Sequence, residues 1–275
     1  MHISSPSIVF VCGVDYWHQN TGNFLDKSGL GRMLDRCQTI LIKPNLVENL
    51  PPPITTPAAL VEEVVLYLLD HVSPSKIVIG EGCGATEYDT GHVFRHLGYF
   101  ELAQKFQLKL IDLNKEQLHR KTDNNCRRWP EIYLPQILDD VFLLSIPQLK
   151  AHSLAGVTLT MKNMMGCAPP CHYRKGGAWN KASFHHGIHE AIFDLNRYRT
   201  PDYSLLDASI GMARAHLWGP QCSPPVGKIA ASTDPVAIDS HGTALLGKDH
   251  GNIGHIAMAD GILGYSHDFE IITIP

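Results

Sequence analysis

The sequence predicts an α/β protein with a mostly parallel or mixed twisted sheet that carries helices on both faces. Short, strongly apolar runs alternate with stretches of helical periodicity, which is the β-α-β pattern of such sheets. Several of these runs stop abruptly on a charged or amide side chain, as buried strands do at a sheet edge. The chain has 275 residues, 44% of them hydrophobic, enough for one large core or two intimate α/β subdomains. We expect the halves 1–148 and 149–275 to form one compact unit.

Five strands and two helices are predicted in the first half. The strands are expected at 8–12, 39–43, 76–80, 108–113 and 140–146. Thr56 as N-cap and Pro57 at the first helical position predict a helix whose apolar stripe runs to Leu69. A second helix is predicted over 90–106.

Irregular segments separate these elements. Residues 13–31 are polar and glycine-rich, which indicates a long functional loop, and 120–128 indicate a loop or a hairpin. Residues 149–184 show little periodicity, and a structureless stretch of this length inside a compact domain is usually functional or flexible.

The second half continues the alternation. One helix is predicted to begin with Asp234 as N-cap and Pro235 at the first helical position, and to stop at Gly247. The other predicted elements are a helix over 186–198 and strands at 203–207, 228–231 and 270–274.

Composition argues against nucleic-acid and membrane partners. The formal net charge is −4, and the nearest approach to a basic block is Arg127 with Arg128. No apolar stretch approaches the roughly 20 residues needed to span a bilayer. Residues 1–17 lack a basic segment and a cleavage site of the secretory kind. We therefore expect a soluble, cytoplasmic protein.

The cysteine pattern indicates reduced thiols. Seven cysteines are scattered along the chain without a C-x-x-C pair, which does not suit a disulfide framework. Zinc-ribbon and ferredoxin-type spacings are also absent, which argues against an iron–sulfur cluster.

Ionisable side chains at or near the predicted strand ends form the candidate site. In open α/β sheets, ligands bind beyond the carboxyl ends of the strands. The candidates for catalytic roles are Lys43, Glu81, Lys150, His152, Lys162 and Asp207. The candidates for ligand binding are Asn45, Gly80, Gly82, Asn163 and Asp239.

The charges of these residues favour a small anionic ligand. Several cations near one sheet edge repel each other unless an anion is bound or carboxylates intervene. A lysine or histidine there suits acid–base chemistry, and a second lysine suits electrostatic stabilisation. A purely structural charge network remains an alternative, with Glu81 in a buried ion pair and Asp239 as a helix cap. The glycines around Glu81 lack the full dinucleotide-binding fingerprint.

A second cluster suggests a divalent metal. Cys167 and Cys171 lie close together in sequence, and His185 and His189 are spaced i, i+4, which places two imidazoles on one helix face. Two prolines separate the thiols, and their spacing is not that of a standard metal pair.

Several strings along the chain resemble one family. They are IKPNLV, IGEG, SIPQLKAH, GVTLTMKNMMG, FHHGIHEAIFDLN and LLDASIGM, followed by ASTDPVAID, and they resemble the domain of unknown function 362 family. The resemblance implies an α/β domain, and members are often described as iron–sulfur proteins because many carry an added ferredoxin-type segment. This chain lacks that segment. Where the family commonly has an acidic Met-Glu-Gly turn after the Asp207 strand, this chain has Met212, Ala213 and Arg214.

Two functional hypotheses follow. The first is an enzyme or a binding protein for a small anionic molecule, with lysine or histidine acid–base chemistry at the sheet edge. The second is a metal-related or iron–sulfur-related redox accessory protein with a redox partner, which would use the cysteine- and histidine-rich segment. The sequence leaves the substrate and the reaction type open.

Overall fold

Strands from both halves of the chain share one sheet. The computed structural model describes residues 7–14, 21–34 and 39–275. Within these residues, β5 (Leu118–Thr122) and β6 (Glu131–Pro135) form a separate antiparallel hairpin. The other strands are β1 (Ser7–Gly13), β2 (Ile40–Pro44), β3 (Ile77–Glu81), β4 (Lys109–Asp112), β7 (Phe142–Ile146), β8 (Gln148–His152), β9 (Gly156–Thr158), β10 (Tyr203–Met212), β11 (Lys228–Ser232) and β12 (Phe269–Thr273).

The strand order brings several strand ends to one edge. The main path is β12-β1-β11-β10-β7-β2-β3-β4, while β8 pairs with β10 and β9. β2 runs parallel to β3 and β7, and Ile40 lies opposite both Ile77 and Phe142. β11 is antiparallel to β1 and β10. The predicted mixed α/β sheet is therefore confirmed.

Helices of very different length cover this sheet. They are α1 (Thr21–Lys27), α2 (Leu30–Leu34), α3 (Ala58–Leu69), α4 (Thr90–His96), α5 (Tyr99–Phe106), α6 (Thr160–Asn163), α7 (Pro170–Tyr173), α8 (Ile188–Tyr198), α9 (Pro235–Leu245) and α10 (Gly254–Ala259).

Alternate residues of the central strands face two separate cores. Leu41 of β2 packs in a core that includes α8, α9 and α10. Its neighbours Ile40 and Ile42 pack in a second core with α1 to α5. Because strand side chains alternate between the two faces, these cores lie on opposite sides of the sheet. The predicted helices on both faces are confirmed.

The prediction that 149–184 lacks regular structure was wrong. This segment contains β9, α6 and α7 as well as most of β8. These elements are three to five residues long, so they are too short to show a periodicity in the sequence.

Two other predicted elements have different limits. The helix predicted over 90–106 is two helices, because Gly98 adopts φ 80° between α4 and α5. The strand predicted to end at Asp207 continues to Met212 and pairs with β8 and β11 on the way. Asp207 is therefore inside a strand and not at its end.

The loop predicted over 13–31 was also wrong where it can be compared. α1 and the start of α2 occupy much of it, and residues 15–20 lie outside the described residues. The prediction for 1–17 falls largely outside them too. Thr56 does not cap α3 with its side chain; its Oγ1 instead donates to the Ile146 carbonyl at 2.7 Å.

Some local predictions are confirmed. Residues 120–128 belong to the β5–β6 hairpin and its turn. Asp234 accepts hydrogen bonds from the backbone N–H groups of Val236 and Ala237 at the start of α9. In the part of the chain that the structure describes, no helix is long and apolar enough to cross a bilayer.

Candidate functional site

A buried ion pair forms the floor of the candidate site. β2 and β3 are neighbours, so Lys43 and Glu81 near their carboxyl ends come together. Lys43 Nζ lies 2.8 Å from both Glu81 carboxylate oxygens. The backbone N–H groups of Leu46 and Gly82 also donate to this carboxylate, at 3.1 and 2.8 Å. Glu81 is therefore neutralised within the protein and has little capacity left for a cationic ligand.

Asn163 connects this pair to the rest of the site. Its Oδ1 accepts hydrogen bonds from Lys43 Nζ and Asn45 Nδ2, each at 3.2 Å. Its amide nitrogen donates to Ser145 Oγ at 2.9 Å. Asn163 and Asn45, both predicted to bind ligand, therefore also hold the strand ends in place.

A close backbone approach covers the ion pair. A Cβ atom at Gly166 would overlap Glu81 Oε1 and would lie 2.5 Å from Lys43 Nζ. Only glycine lets this segment lie against the pair at that distance. The sequence reasoning did not single out Gly166, because a glycine in a segment without periodicity gives no signal of such an approach.

Lys150 is a buried cation without a carboxylate partner. Its Nζ donates to Asn45 Oδ1 at 2.7 Å and to the Ile54 carbonyl at 2.5 Å. Burial, with the nearby charge of Lys162 as the second cause, lowers the pKa of Lys150 to about 7.

Lys162 is only half-buried, in contrast to Lys150. No described residue accepts a hydrogen bond from its Nζ or forms an ion pair with it. Burial lowers its pKa to about 8. α6 carries both Lys162 and Asn163, so the short helix supplies one residue to the floor and one cation to the cavity.

Lys181 is the third lysine that lines the cavity, and the sequence did not predict it. Its Nζ donates to Asn114 Oδ1 and to the Ala168 carbonyl. Burial lowers its pKa to about 8. It follows no strand, so its place beside the sheet edge depends on how the segment after α7 folds back.

Hydrogen bonds fix the tautomer of His152. The backbone N–H groups of Leu154 and Ala155 both donate to its Nδ1, at 3.1 Å each. Nδ1 is therefore unprotonated and the ring proton is on Nε2. Burial, with Lys162 as the next cause, holds the pKa of His152 far below its usual value. His152 is thus a neutral hydrogen-bond donor, which does not suit the general-base role considered for it.

Two further histidines stand beside His152. The ring of His216, which the sequence reasoning missed, stacks on it with centroids 4.0 Å apart, and His185 lies at 6.5 Å. Burial lowers the pKa of His216 to about 4 and also lowers that of His185. All three rings are therefore neutral at neutral pH.

These side chains line one cavity. It encloses about 690 Å³, part of it open to solvent. Val47, Met165, Trp179 and Leu217 contribute apolar or aromatic wall. The polar side chains of its wall are Asn45, Glu81, Lys150, His152, Thr158, Lys162, Asn163, Lys181, His185 and His216. Among these described lining residues, Glu81 is the one carboxylate, and Lys43 already neutralises it.

Asp239 lies behind the cavity wall. Its two carboxylate oxygens accept the backbone N–H groups of Thr160 and Met161, at 2.7 and 3.0 Å. Asp239 belongs to α9, and through these two hydrogen bonds it fixes the position of the start of α6. Burial raises its pKa to about 7. The capping alternative describes its geometry better than direct ligand contact.

Asp207 and Gly80 are also not part of the cavity wall. Asp207 accepts hydrogen bonds from Gln148 Nε2 at 2.8 Å and from Ser209 Oγ at 2.6 Å. A Cβ atom at Gly80 would lie 2.7 Å from Leu41 Cδ1 and 2.8 Å from Ile111 Cγ1, so this glycine serves core packing. Gly82, in contrast, lines the cavity.

The four predicted metal ligands do not come together. Cys167 is buried and Cys171 is exposed. His185 lies at the cavity, whereas His189 Nδ1 lies 3.2 Å from His255 Nδ1 on α10. Within the described ranges, no three His, Cys, Asp or Glu side chains are grouped so as to hold a metal ion.

Four of the described cysteines are buried as free thiols. Burial raises the pKa of Cys12, Cys83, Cys126 and Cys167 to about 11 each. Cluster ligands are thiolates, which such surroundings disfavour. Cys37 lies outside the described residues.

Comparison with known proteins places the chain in a family. Residues 40–244 match the model of the Domain of unknown function (DUF362), and the chain belongs to this family. The resemblance inferred from the sequence is confirmed, while its iron–sulfur aspect is not shown. The chain is also 27% identical over 265 residues to a thylakoid-associated protein of Synechocystis sp., with 90% of this chain and 74% of the relative covered.

One solved structure shows a weak similarity to this chain. The lactate racemase apoprotein from Thermoanaerobacterium thermosaccharolyticum matches with a TM-score of 0.46 and 12% identity. The match covers 84% of this chain, which spans 55% of the length of the racemase chain. A similarity of this degree does not bear on activity.

Proposed function

We propose that this protein binds a small anionic ligand in the lysine-lined cavity. The observation that carries the proposal is that Lys150 and Lys162 line the cavity without a carboxylate partner, while Lys43 neutralises Glu81. The cavity is therefore cationic whenever these lysines are protonated.

Burying a charged amine without a counter-ion is costly, and the protein responds by lowering the lysine pKa values. An anion in the cavity would supply the missing charge in a setting of reduced dielectric, where each contact is worth more than in water. When an anion binds, it removes the unfavourable free energy of the unpaired lysines, and this gain contributes to the affinity for the ligand.

The structural charge network fits the same residues less well. That alternative requires carboxylates between the cations, and the other two acidic residues among the site candidates, besides Glu81, are Asp207 and Asp239. Both are engaged elsewhere, Asp207 with Gln148 and Asp239 with the start of α6. Among the described lysines of the site, Lys43 is therefore the one that has a carboxylate partner within the protein.

The same geometry suits acid–base chemistry on a bound anion. Lys150, with its pKa of about 7, can both donate and accept a proton near neutral pH. Lys162 would stabilise negative charge, and His152 would donate its Nε2–H to a ligand oxygen. We propose these roles for a reaction that the cavity alone does not specify.

The test is a thermal-shift titration with sulfate and with succinate, at ionic strength matched with chloride. We expect saturable stabilisation of the parent and its loss in Lys162→Met. The matched control is Lys105→Met, which removes an exposed lysine paired with Glu62 away from the cavity. Equal stabilisation of both variants and the parent would overturn the proposal.

A further inference from the structure

The cations of the cavity occupy two positions. Lys150 and Lys162 belong to one, together with His152 and its stacked neighbour His216. Lys181 belongs to the other and is held there by its own acceptors, Asn114 and Ala168, neither of which contacts Lys150.

A chain of polar contacts separates the two positions. Lys150 donates to Asn45, and Asn45 donates to Asn163. Asn163 accepts from Lys43, which pairs with Glu81. The floor of the cavity thus runs from Lys150 through two amides to the buried ion pair.

The chain continues to Lys181 on the far side of the ion pair. Glu81 accepts the backbone N–H of Gly82 at 2.8 Å. A Cβ atom at Gly82 would overlap Asn114 Oδ1, so these residues are in close contact, and Asn114 accepts from Lys181. Lys150 and Lys181 are therefore the first and last residues of this series of contacts.

The electrostatic surroundings of the two positions also differ. Lys162 lowers the pKa values of Lys150, His152 and His216. For Lys181, the charged groups that influence its pKa are led by Glu81, and the lysine among them is Lys43. A negative charge beside Lys162 would thus not compensate the unfavourable burial of the Lys181 amine.

We propose that the ligand carries two anionic groups, one bound by Lys150 and Lys162 and the other by Lys181. The proposal rests on the proposed function and narrows its ligand to a dianionic class such as short dicarboxylates or phosphorylated carboxylic acids. A monoanion leaves one buried lysine uncompensated, whereas a dianion of suitable length neutralises both positions. The atoms that connect the two anionic groups of the ligand would lie along the part of the cavity that is lined by Asn45, Asn163 and Gly82.

The test compares probes of equal carbon number by isothermal titration calorimetry. Succinate and butyrate are titrated into the parent, Lys181→Met and the exposed-lysine control Lys105→Met. We expect succinate to bind the parent at least 10-fold more tightly than butyrate. Lys181→Met should lose most of that ratio through weaker succinate binding, with butyrate affinity changed less than 3-fold and Lys105→Met like the parent.

A chain-length series on the parent keeps the proposal testable if Lys181→Met does not fold. Malonate, succinate and glutarate are each compared with the monocarboxylate of the same carbon number, and one length should show a maximal ratio. Ratios near 1 throughout, with saturable binding of both classes, would overturn this inference and leave the proposed function standing. If none of these carboxylates binds while sulfate binds saturably, this inference is overturned and the proposed function stands. If sulfate does not bind either, both are overturned.

Discussion

Lys43 Nζ lies 2.8 Å from both carboxylate oxygens of Glu81, and both side chains are almost completely shielded from solvent. Two adjacent parallel strands bring these residues together. The pair removes the one carboxylate of the described cavity wall from the charge balance, and so leaves the other lysines available to an anion.

Breaking this pair should destabilise the protein strongly. Glu81→Gln leaves the Lys43 ammonium buried without a counter-ion, so we expect a loss of about 3–5 kcal/mol in the free energy of unfolding. The double variant Lys43→Met with Glu81→Gln should lose less than Glu81→Gln alone, because no charge remains to be buried. Urea denaturation measures the free energy of unfolding of Glu81→Gln, Lys43→Met and the double variant. If the double variant loses the sum of the two single losses, the coupling is contradicted.

Gly166 should tolerate no side chain. Gly166→Ala places a Cβ against Glu81 and Lys43, and we expect a loss of about 1–3 kcal/mol through forced displacement of the covering segment. Gly13→Ala is the control, since the nearest atom to its added Cβ is 3.9 Å away. Similar unfolding midpoints in urea for the two variants would show that the close approach does not matter.

Asp239 should act on the cavity through α6. In Asp239→Asn only one terminal atom of the side chain still accepts a hydrogen bond, so one of the two backbone N–H groups of Thr160 and Met161 loses its partner. We expect about 1–3 kcal/mol lower stability and weaker anion binding, because Lys162 follows in the same short helix. Asp234→Asn, which alters the cap of α9, should reduce stability without changing sulfate affinity. Unchanged sulfate affinity in Asp239→Asn would refute the positioning role.

His152 should stay neutral with its proton on Nε2. Its Nδ1 accepts two backbone N–H groups, so protonation there would break both contacts. Nitrogen-15 chemical shifts of the imidazole should report the Nε2–H tautomer without titration from pH 5 to pH 8. A titration with a midpoint in that range would contradict the assigned donor role.

The strand-end residues could be predicted because the alternation of apolar runs reports where parallel strands stop. Lys43, Glu81, Lys150 and His152 were found in this way, and all but Lys43 line the cavity while Lys43 lies in its floor. Asp207 was misplaced because the apolar run ends before the strand does. Nothing in the sequence indicates that β10 continues beyond Asp207 and pairs with β8 as far as Met212.

Lys181 and His216 could not be predicted for a different reason. Lys181 lies in a segment without helical or strand periodicity, and His216 lies beyond the end of β10, so tertiary packing brings both residues to the cavity. Asp239 could be recognised as a candidate, but its partners are backbone N–H groups of another element. A side-chain pattern carries no information about such contacts.

Proton uptake during anion binding tests the central claim most directly. The pKa values of about 7 for Lys150 and about 8 for Lys162 mean that both are largely neutral at pH 8.5 in the free protein. A bound anion favours the charged amines, so binding should take up protons at pH 8.5 but hardly at pH 6, where both are already charged. Affinity should accordingly fall as the pH rises above about 8.

The measurement is isothermal titration calorimetry with sulfate at pH 8.5 in two buffers of different ionisation enthalpy. The account predicts saturable binding to the parent whose enthalpy differs between the buffers by an amount equal to uptake of about one proton or more, and no saturable binding to Lys162→Met. Sulfate binding with the same enthalpy in both buffers, or no saturable binding, would contradict it.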